Sequence, residues 1–333
     1  MRIGEGKILV TGGAGMIGSA VVWALNRLNL EDIVVCDRLS DDDRYKNLIP
    51  LRFGDYVDAD DLLTYLAEPE NRTIKTIFHL GACADTTETD GRFLMKNNFE
   101  FTKNLAQFAA GRGIRFVYAS SAATYGDGAQ GMEDGESDLK KLRPLNMYAY
   151  SKHLFDIYGR SRGLKLYAAK YFNVFGPNEN HKAHMVSMVA RAYRQIRETG
   201  TVRLFKSYRP QYADGCQRRD FLYAKDAAQM TVFLGDVPEK IDGRETSGIY
   251  NLASGVASTW LELVDPVFKI LGKPPRVEFI EMSENLQKKY QYFTCGDIKK
   301  LRAIGYAAAL TPLEEAVADY VSNYLLPGKR LGE

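Results

Sequence analysis

Apolar runs of four to seven residues punctuate the first half of this chain, and between them apolar residues recur at helical spacing. Lys7–Thr11, Ile33–Cys36, Thr76–Ala82, Arg115–Ser121 and Leu166–Phe172 read as strands. Amphipathic stretches from about Gly91 to Arg112 and from Met147 to Arg162 read as helices. This alternation predicts an α/β fold with a doubly wound parallel sheet. After Gly176-Pro177 the pattern loosens into shorter elements, broken by a polar stretch from Ser207 to Arg219. So long a loop in a compact domain is usually functional or mobile. Residues 1–176 are expected to form one domain, with segments at about 219–254 returning to it. Residues 177–333 are expected to form a smaller, mixed α/β substrate domain.

The first strand runs into Gly12-Gly13-Ala14-Gly15-Met16-Ile17-Gly18, a glycine-spaced turn that opens a helix. In the spacing Gly12-x-x-Gly15-x-x-Gly18 one glycine permits the tight turn, one lets backbone approach a pyrophosphate, and one lets helix pack on strand. The helix aims its unpaired N–H groups and the positive end of its dipole at the anion. A glycine trio alone also suits a plain strand-to-helix turn. Here the second strand ends in Asp37, nineteen residues after Gly18, where a dinucleotide fold meets the adenosine ribose. The two features together predict a Rossmann-type, dinucleotide-binding sheet. Asp37 suits the free 2′-hydroxyl of NAD, whereas Arg38 and Arg44 suit the 2′-phosphate of NADP, with Asp41-Asp42-Asp43 diluting their field. The same charges also fit a solvated loop.

Composition narrows the partners. Forty-four basic against 42 acidic side chains leave a formal charge of +2 on 333 residues, a length that suggests two domains around one cleft. No polybasic block interleaved with aromatics points to nucleic acid, and no apolar run approaches the ~20 residues of a membrane span. The first strand is read from residue 7, so a secretory signal is not expected in the residues before it. Cys36, Cys83, Cys216 and Cys295 are scattered without metal spacing, so reduced thiols and a cytoplasmic location are expected. No cysteine or carboxylate completes a metal-ligand set with His181 and His184 at the usual spacing, and no metal is expected.

The chemistry is clearest at Tyr148-Ala149-Tyr150-Ser151-Lys152. A tyrosine and a lysine four apart share a helix face, so the ammonium can favour the ionised phenol and draw its pKa down from ~10. Ser121, at the end of a strand, faces the crevice where open α/β sheets bind ligands, and its hydroxyl suits a reacting alcohol or carbonyl. Alone, Tyr-x-x-x-Lys is also a common surface pair. With Ser121 and the glycine turn it reads as an acid/base centre.

These three features together resemble the extended short-chain dehydrogenase/reductases. Phe78–Glu88, Tyr118–Gly126, Lys170–Pro177 followed by His181-Lys182, and Tyr290–Thr294 narrow the resemblance to the ADP-L-glycero-D-manno-heptose 6-epimerases, over nearly the whole chain. The resemblance implies a reversible redox step at C6 of the heptose, through a ketone, in lipopolysaccharide core heptose biosynthesis. It implies NADP, with NAD as the alternative, and a homo-oligomer acting on ADP-heptose. Tyr148 and Lys182 would be acid/base groups on opposite sides of the carbon, aided by Ser121 and Lys152. Lys182 must then be partly neutral, which needs burial or a nearby cation; binding the substrate diphosphate is its other reading.

By the same resemblance Gly12, Gly15, Met16, Ile17, Gly18, Asp37, Arg38, Arg44, Leu80, Gly81, Ala82, Cys83, Ala84, Asn97, Val174, Tyr148, Lys152 and Lys182 would contact the cofactor, with Asp55 near the adenine. Ser121, Asn173, His184, Arg191, Phe205, Lys206, Arg219 and Tyr290 would contact the substrate, Arg219 through its fork of donors to a diphosphate. Tyr290 also reads as core packing. The family pattern has Ser where this chain has His184 and His where it has Arg191, and its Ser207–Gln217 stretch is shorter. A nucleotide-sugar 4,6-dehydratase would need an acidic pair after the strand hydroxyl, where this chain has Ala122 and Ala123. A UDP-hexose 4-epimerase needs only the Tyr-Ser pair and a ketose free to turn. A silent dinucleotide-binding module has no use for Ser121, Tyr148 and Lys152 together.

Overall fold

The computed structural model describes residues 3–137 and 139–333. Six strands, β1 (Lys7–Thr11), β2 (Ile33–Asp37), β3 (Asp55–Asp58), β4 (Ile74–His79), β5 (Arg115–Ser121) and β6 (Leu166–Tyr171), join the strand Gly248–Leu252 in one parallel sheet. The spatial order is Gly248–Leu252, β6, β5, β4, β1, β2, β3. Runs such as Ile33-Val34-Val35-Cys36 are buried at every position because helices cover both faces of the sheet.

On one face the helices Met16–Arg27 and Ala224–Asp236 pack together, burying Ala20, Val21, Ala24 and Leu25 of the first as an apolar stripe. The other face carries Phe101–Gly111 and Met147–Ser161. The helical stretch read from Gly91 is interrupted: Gly91–Leu94 is α-helical, Met95–Glu100 is a π turn, and the α-helix resumes at Phe101. The inserted π residue sets Asn97 and Asn98 on the side of the sheet's carboxyl edge, a common use of such bulges. β4 ends at His79, earlier than the run to Ala82 suggests, because Leu80–Ala84 turns away to line the crevice.

That crevice lies where β1 meets β4, the point at which the winding of the sheet reverses. The approach of the two loops there is close. Gly12 has φ +67°, and a Cβ on it would lie 2.6 Å from the Gly81 nitrogen. A Cβ on Gly18 would lie 2.0 Å from the Gly12 oxygen, so helix and turn touch backbone to backbone.

The remaining chain builds a second core. Asn173–Phe175 pairs in parallel with Arg218–Tyr223, which also takes Ala257–Thr259 antiparallel, and Val202–Phe205 pairs in parallel with Val277–Ile280. The helices Met188–Thr199, Trp260–Ile270 and Leu313–Tyr320 close over these strands, burying Phe175, Val189, Tyr193, Val267 and Tyr320. Ser187 caps the first helix, and Thr259 with Glu262 forms a capping box on the second. Among the described residues no helix is long and apolar enough to cross a membrane.

Candidate active site

A cleft of about 640 Å³ opens at the carboxyl ends of β1, β2 and β4. Gly12, Gly15, Met16, Ile17, Gly18, Leu80, Gly81, Ala82, Cys83, Ala84 and Asn97 all line it. A Cβ on Gly15 would meet only the Gly12 oxygen, at 3.2 Å, so the space beyond this glycine is open. No side chain caps the helix Met16–Arg27, which leaves its first amides for an anion. An open glycine and an uncapped helix start fit the pyrophosphate of a dinucleotide.

Asp37, Arg38 and Arg44 also line the cleft. Asp37 accepts the Ala14 N–H at 2.9 Å and the Arg38 N–H at 2.8 Å, so its carboxylate is fixed by backbone. Each guanidinium already holds a carboxylate: Arg38 binds Asp60 at 2.7 Å and the Asn97 amide oxygen at 2.7 Å, and Arg44 binds Asp42 at 2.7 Å and Asp37 at 3.3 Å. A 2′-phosphate would have to displace these partners. Asp55 is not in the cleft. It pairs with Val34 at the start of β3 and accepts the Tyr65 hydroxyl at 2.9 Å, whereas the cleft end of β3 delivers Ala59.

Ser121 ends β5, and its Oγ accepts the Ala123 N–H at 3.1 Å. Its other neighbour is the Tyr148 phenol, brought there by the helix Met147–Ser161, which Asn146 caps. Burial raises the phenol above its ordinary value, the Ser121 hydrogen bond opposes the rise, and the Cys83 sulfur adds to it. The expected lowering by Lys152 is therefore not what the structure has. Burial drives the Lys152 ammonium down to about 8, against the pull of Asp156 and Cys83, and its charge interacts with those groups. Asp156, one helical turn beyond Lys152, is itself buried, bonded to Tyr118 at 2.8 Å, Ser120 at 2.9 Å and Lys170 at 3.0 Å.

Lys182 lines the cleft from the far side of the chain, on the Asn180–Met185 segment that follows Gly176-Pro177. Its N–H donates to the Glu179 oxygen at 3.0 Å and its Nζ to the Met16 sulfur at 2.9 Å, beside the glycine turn. Burial lowers its pKa, opposed by Glu179, so its neutral form is more accessible than that of an ordinary lysine. His181 falls to about 4, from burial and then from Lys182 and Arg44, and stays neutral at physiological pH. His184 lines the cleft and meets Asp85 at 3.4 Å; Arg191 does not line it, and donates to the His184 carbonyl at 2.8 Å.

A second cluster lies on the C-terminal unit. Arg219 is 5% exposed, its guanidinium 5.0 Å from the Tyr290 ring and 5.7 Å from Trp260, and burial lowers its pKa. Phe205 meets Tyr290 edge-on at 6.5 Å. Gln291 donates to the Gly126 carbonyl, tying this cluster to the loop that follows Ser121. Asn173 accepts the Thr294 hydroxyl at 3.3 Å. Lys206 is held on the surface by Glu281 at 2.5 Å, and Val174 does not line the cleft. Trp260, Tyr212, Tyr292 and Asn98 are the residues that sequence reasoning missed. Asn98 clamps both the N–H and the carbonyl of Cys83 and reaches Ser151 at 3.1 Å; the tandem Asn97-Asn98 was its only signal.

The comparisons with known proteins agree with this geometry. Residues 8–253 match the NAD dependent epimerase/dehydratase family. The ADP-L-glycero-D-manno-heptose-6-epimerase of Nitratidesulfovibrio vulgaris strain DP4 is 44% identical over 95% of this chain and 97% of its own. The enzyme of the same name from Fusobacterium nucleatum is 45% identical over 96% and 98%. Among solved structures, the Helicobacter pylori ADP-L-glycero-D-manno-heptose-6-epimerase superposes with TM-score 0.79 at 27% identity, covering 96% of each chain. A UDP-N-acetylglucosamine 4-epimerase from Methanobrevibacter ruminantium, TM-score 0.80 at 23% identity over 99% and 100% of the two chains, shares the fold. With its glycine cradle, its Ser121–Tyr148 pair and this sequence match, the chain belongs to the NAD dependent epimerase/dehydratase family.

Proposed function

We propose that this chain is a nucleotide-sugar epimerase that interconverts ADP-D-glycero- and ADP-L-glycero-D-manno-heptose at C6, in the supply of heptose for lipopolysaccharide core. The near-full-length identity to enzymes of that name supports this choice over a UDP-hexose 4-epimerase. The observation that carries it is Lys182, a second proton carrier in the wall of the cleft with its ammonium destabilised by burial. Residues 1–176 with about 219–254 would hold the cofactor, and the rest the sugar nucleotide.

The amides at the start of the helix Met16–Arg27 and the open face of Gly15 would hold the dinucleotide pyrophosphate. A bound nicotinamide would supply the hydride acceptor and donor for C6, and the positive charge of its oxidised form would favour an ionised phenol nearby. Tyr148 removes the proton of the C6 hydroxyl, while Ser121 holds the oxygen by a hydrogen bond. The ketone turns about the adjoining bond. Its oxygen then meets Lys182, which delivers the proton that completes the opposite epimer. Ala122 and Ala123 offer no carboxyl group to protonate a leaving hydroxyl, so water is not expelled.

For the cofactor we favour NADP, with Arg44 leaving Asp42 for the 2′-phosphate, and for the assembly a cytoplasmic homo-oligomer. Denaturing the purified protein and identifying the released nucleotide tests the first. NADP is expected; NAD alone, with no loss of affinity in Arg44→Ala, overturns it. Offering ADP-heptose and UDP-galactose in parallel separates the two epimerase readings, and only the heptose is expected to turn over.

A further inference from the structure

The Ser207–Gln217 segment is pinned to the cluster around Arg219. Ser207 N–H donates to Asp214 Oδ1 at 2.6 Å, the Tyr208 hydroxyl bonds Glu281, and the Tyr208 N–H donates to the Tyr292 hydroxyl at 3.0 Å. Held this way, the segment sets Arg209 over the Tyr292 ring at 4.6 Å and the Tyr212 ring 5.5 Å from it. Tyr292 meets Tyr290 edge-on at 5.2 Å, and Tyr290 carries the Arg219 guanidinium. Two guanidinium groups thus bracket one set of tyrosine rings.

Among the described residues no carboxylate pairs with either arginine. For Arg209, which is exposed, that is unremarkable. For Arg219 it is costly, since a buried cation without a counter-charge loses its hydration and gains only ring faces and the Arg218 carbonyl. A second unmet group lies two residues earlier in the chain. Gln217 is fully buried, its Nε2 donates to the Phe205 and Lys206 carbonyls, and its Oε1 has no donor. A buried cation without a counter-charge, against tilted and edge-on rings, calls for a ligand that brings an anion and a flat face.

We propose that Arg209 and Tyr212 are specificity residues for the substrate, forming the outer wall of a nucleoside-diphosphate site whose inner wall is Arg219. The diphosphate binds Arg219 and reaches toward Arg209 along the tyrosine rings, against which the base lies. This rests on the sugar-nucleotide reading above, and it accounts for the inserted segment, which adds a second phosphate ligand that Arg219 alone does not supply. Arginine suits that role because its planar fork binds phosphate oxygens while its face stays on a ring.

Calorimetric titration of the cofactor-loaded protein with ADP and with UDP tests this directly. Arg209→Ala should bind ADP about tenfold more weakly, the usual size of a lost charge-assisted hydrogen bond. Its KM for sugar nucleotide should rise by a similar factor with kcat unchanged, the mark of lost uniform binding. Tyr212→Leu should weaken ADP as well, and Arg203→Ala, whose partner is Glu278 on the surface, should bind as the native chain does. Native affinity in both Arg209→Ala and Tyr212→Leu would overturn the proposal, as would a native protein that binds neither nucleotide. Tighter binding of UDP than ADP would overturn the heptose reading and leave this one standing.

Discussion

Tyr148 and Lys152 share a helix face, yet different neighbours govern their protonation. The phenol answers to burial and Ser121, the ammonium to burial and Asp156. Replacing Tyr148 by Phe keeps the ring and removes the only proton the phenol can trade. Turnover should fall roughly a hundredfold to ten-thousandfold with cofactor still bound, read by steady-state kinetics and by the nucleotide that co-purifies. Near-native turnover would remove Tyr148 from the mechanism. Lys152 allows a test by pH. Below about 8 the folded and unfolded chains both carry its proton, and the folded chain bears the cost of burying the charge. Between about 8 and the ordinary 10.5 the folded chain releases that proton first, so this contribution to stability rises with pH. Lys152→Met lacks the contribution. Its melting temperature relative to native should therefore be highest near pH 7 and decline toward pH 10, and a difference independent of pH would contradict the buried, destabilised ammonium. Asp55 shows why single contacts were harder to read than motifs. Its carboxylate suits an adenine contact, but only strand pairing reveals that it stands at the end of β3 away from the cleft.

The strand–turn–helix of residues 7–27 was readable because each part carries its own chemical signature: a run buried on both faces, three glycines spaced three apart, and an apolar stripe at helical period. The structure separates two of these glycines by what surrounds them. A Cβ on Gly18 collides with the Gly12 oxygen, whereas one on Gly15 faces open cleft. Gly18→Ala should thus lower stability by roughly 1–3 kcal/mol in denaturant titration, as forced overpacking does. Gly15→Ala should melt within a few degrees of native but bind nicotinamide dinucleotide at least about tenfold more weakly, because the added methyl occupies the approach of the pyrophosphate. Equal effects of the two substitutions on stability would contradict this division. The π turn at Met95–Glu100 was not readable, since it leaves the helical period nearly intact while shifting Asn97 and Asn98 by one position.

Long-range assembly was the least accessible part. Nothing local in Gly248–Leu252 says that it will pair with β6, and nothing in Arg219 says that Trp260, Tyr290 and Tyr212 will meet around it. Those contacts are set by packing between segments tens of residues apart, which a periodicity carries no record of. The likeness to whole enzymes named Arg219 and Tyr290 together, and the structure sets the guanidinium 5.0 Å from the ring, but it gave no sign of Trp260 or Tyr212. The proposed reaction turns on a hydride that leaves C6 of a nucleotide-linked heptose and returns to the same carbon. The decisive measurement is NMR of ADP-D-glycero-D-manno-heptose incubated with the cofactor-loaded protein in deuterated water. Both C6 epimers should appear, with hydrogen and no deuterium at C6. Failure to form the second epimer, or deuterium at C6, would contradict it.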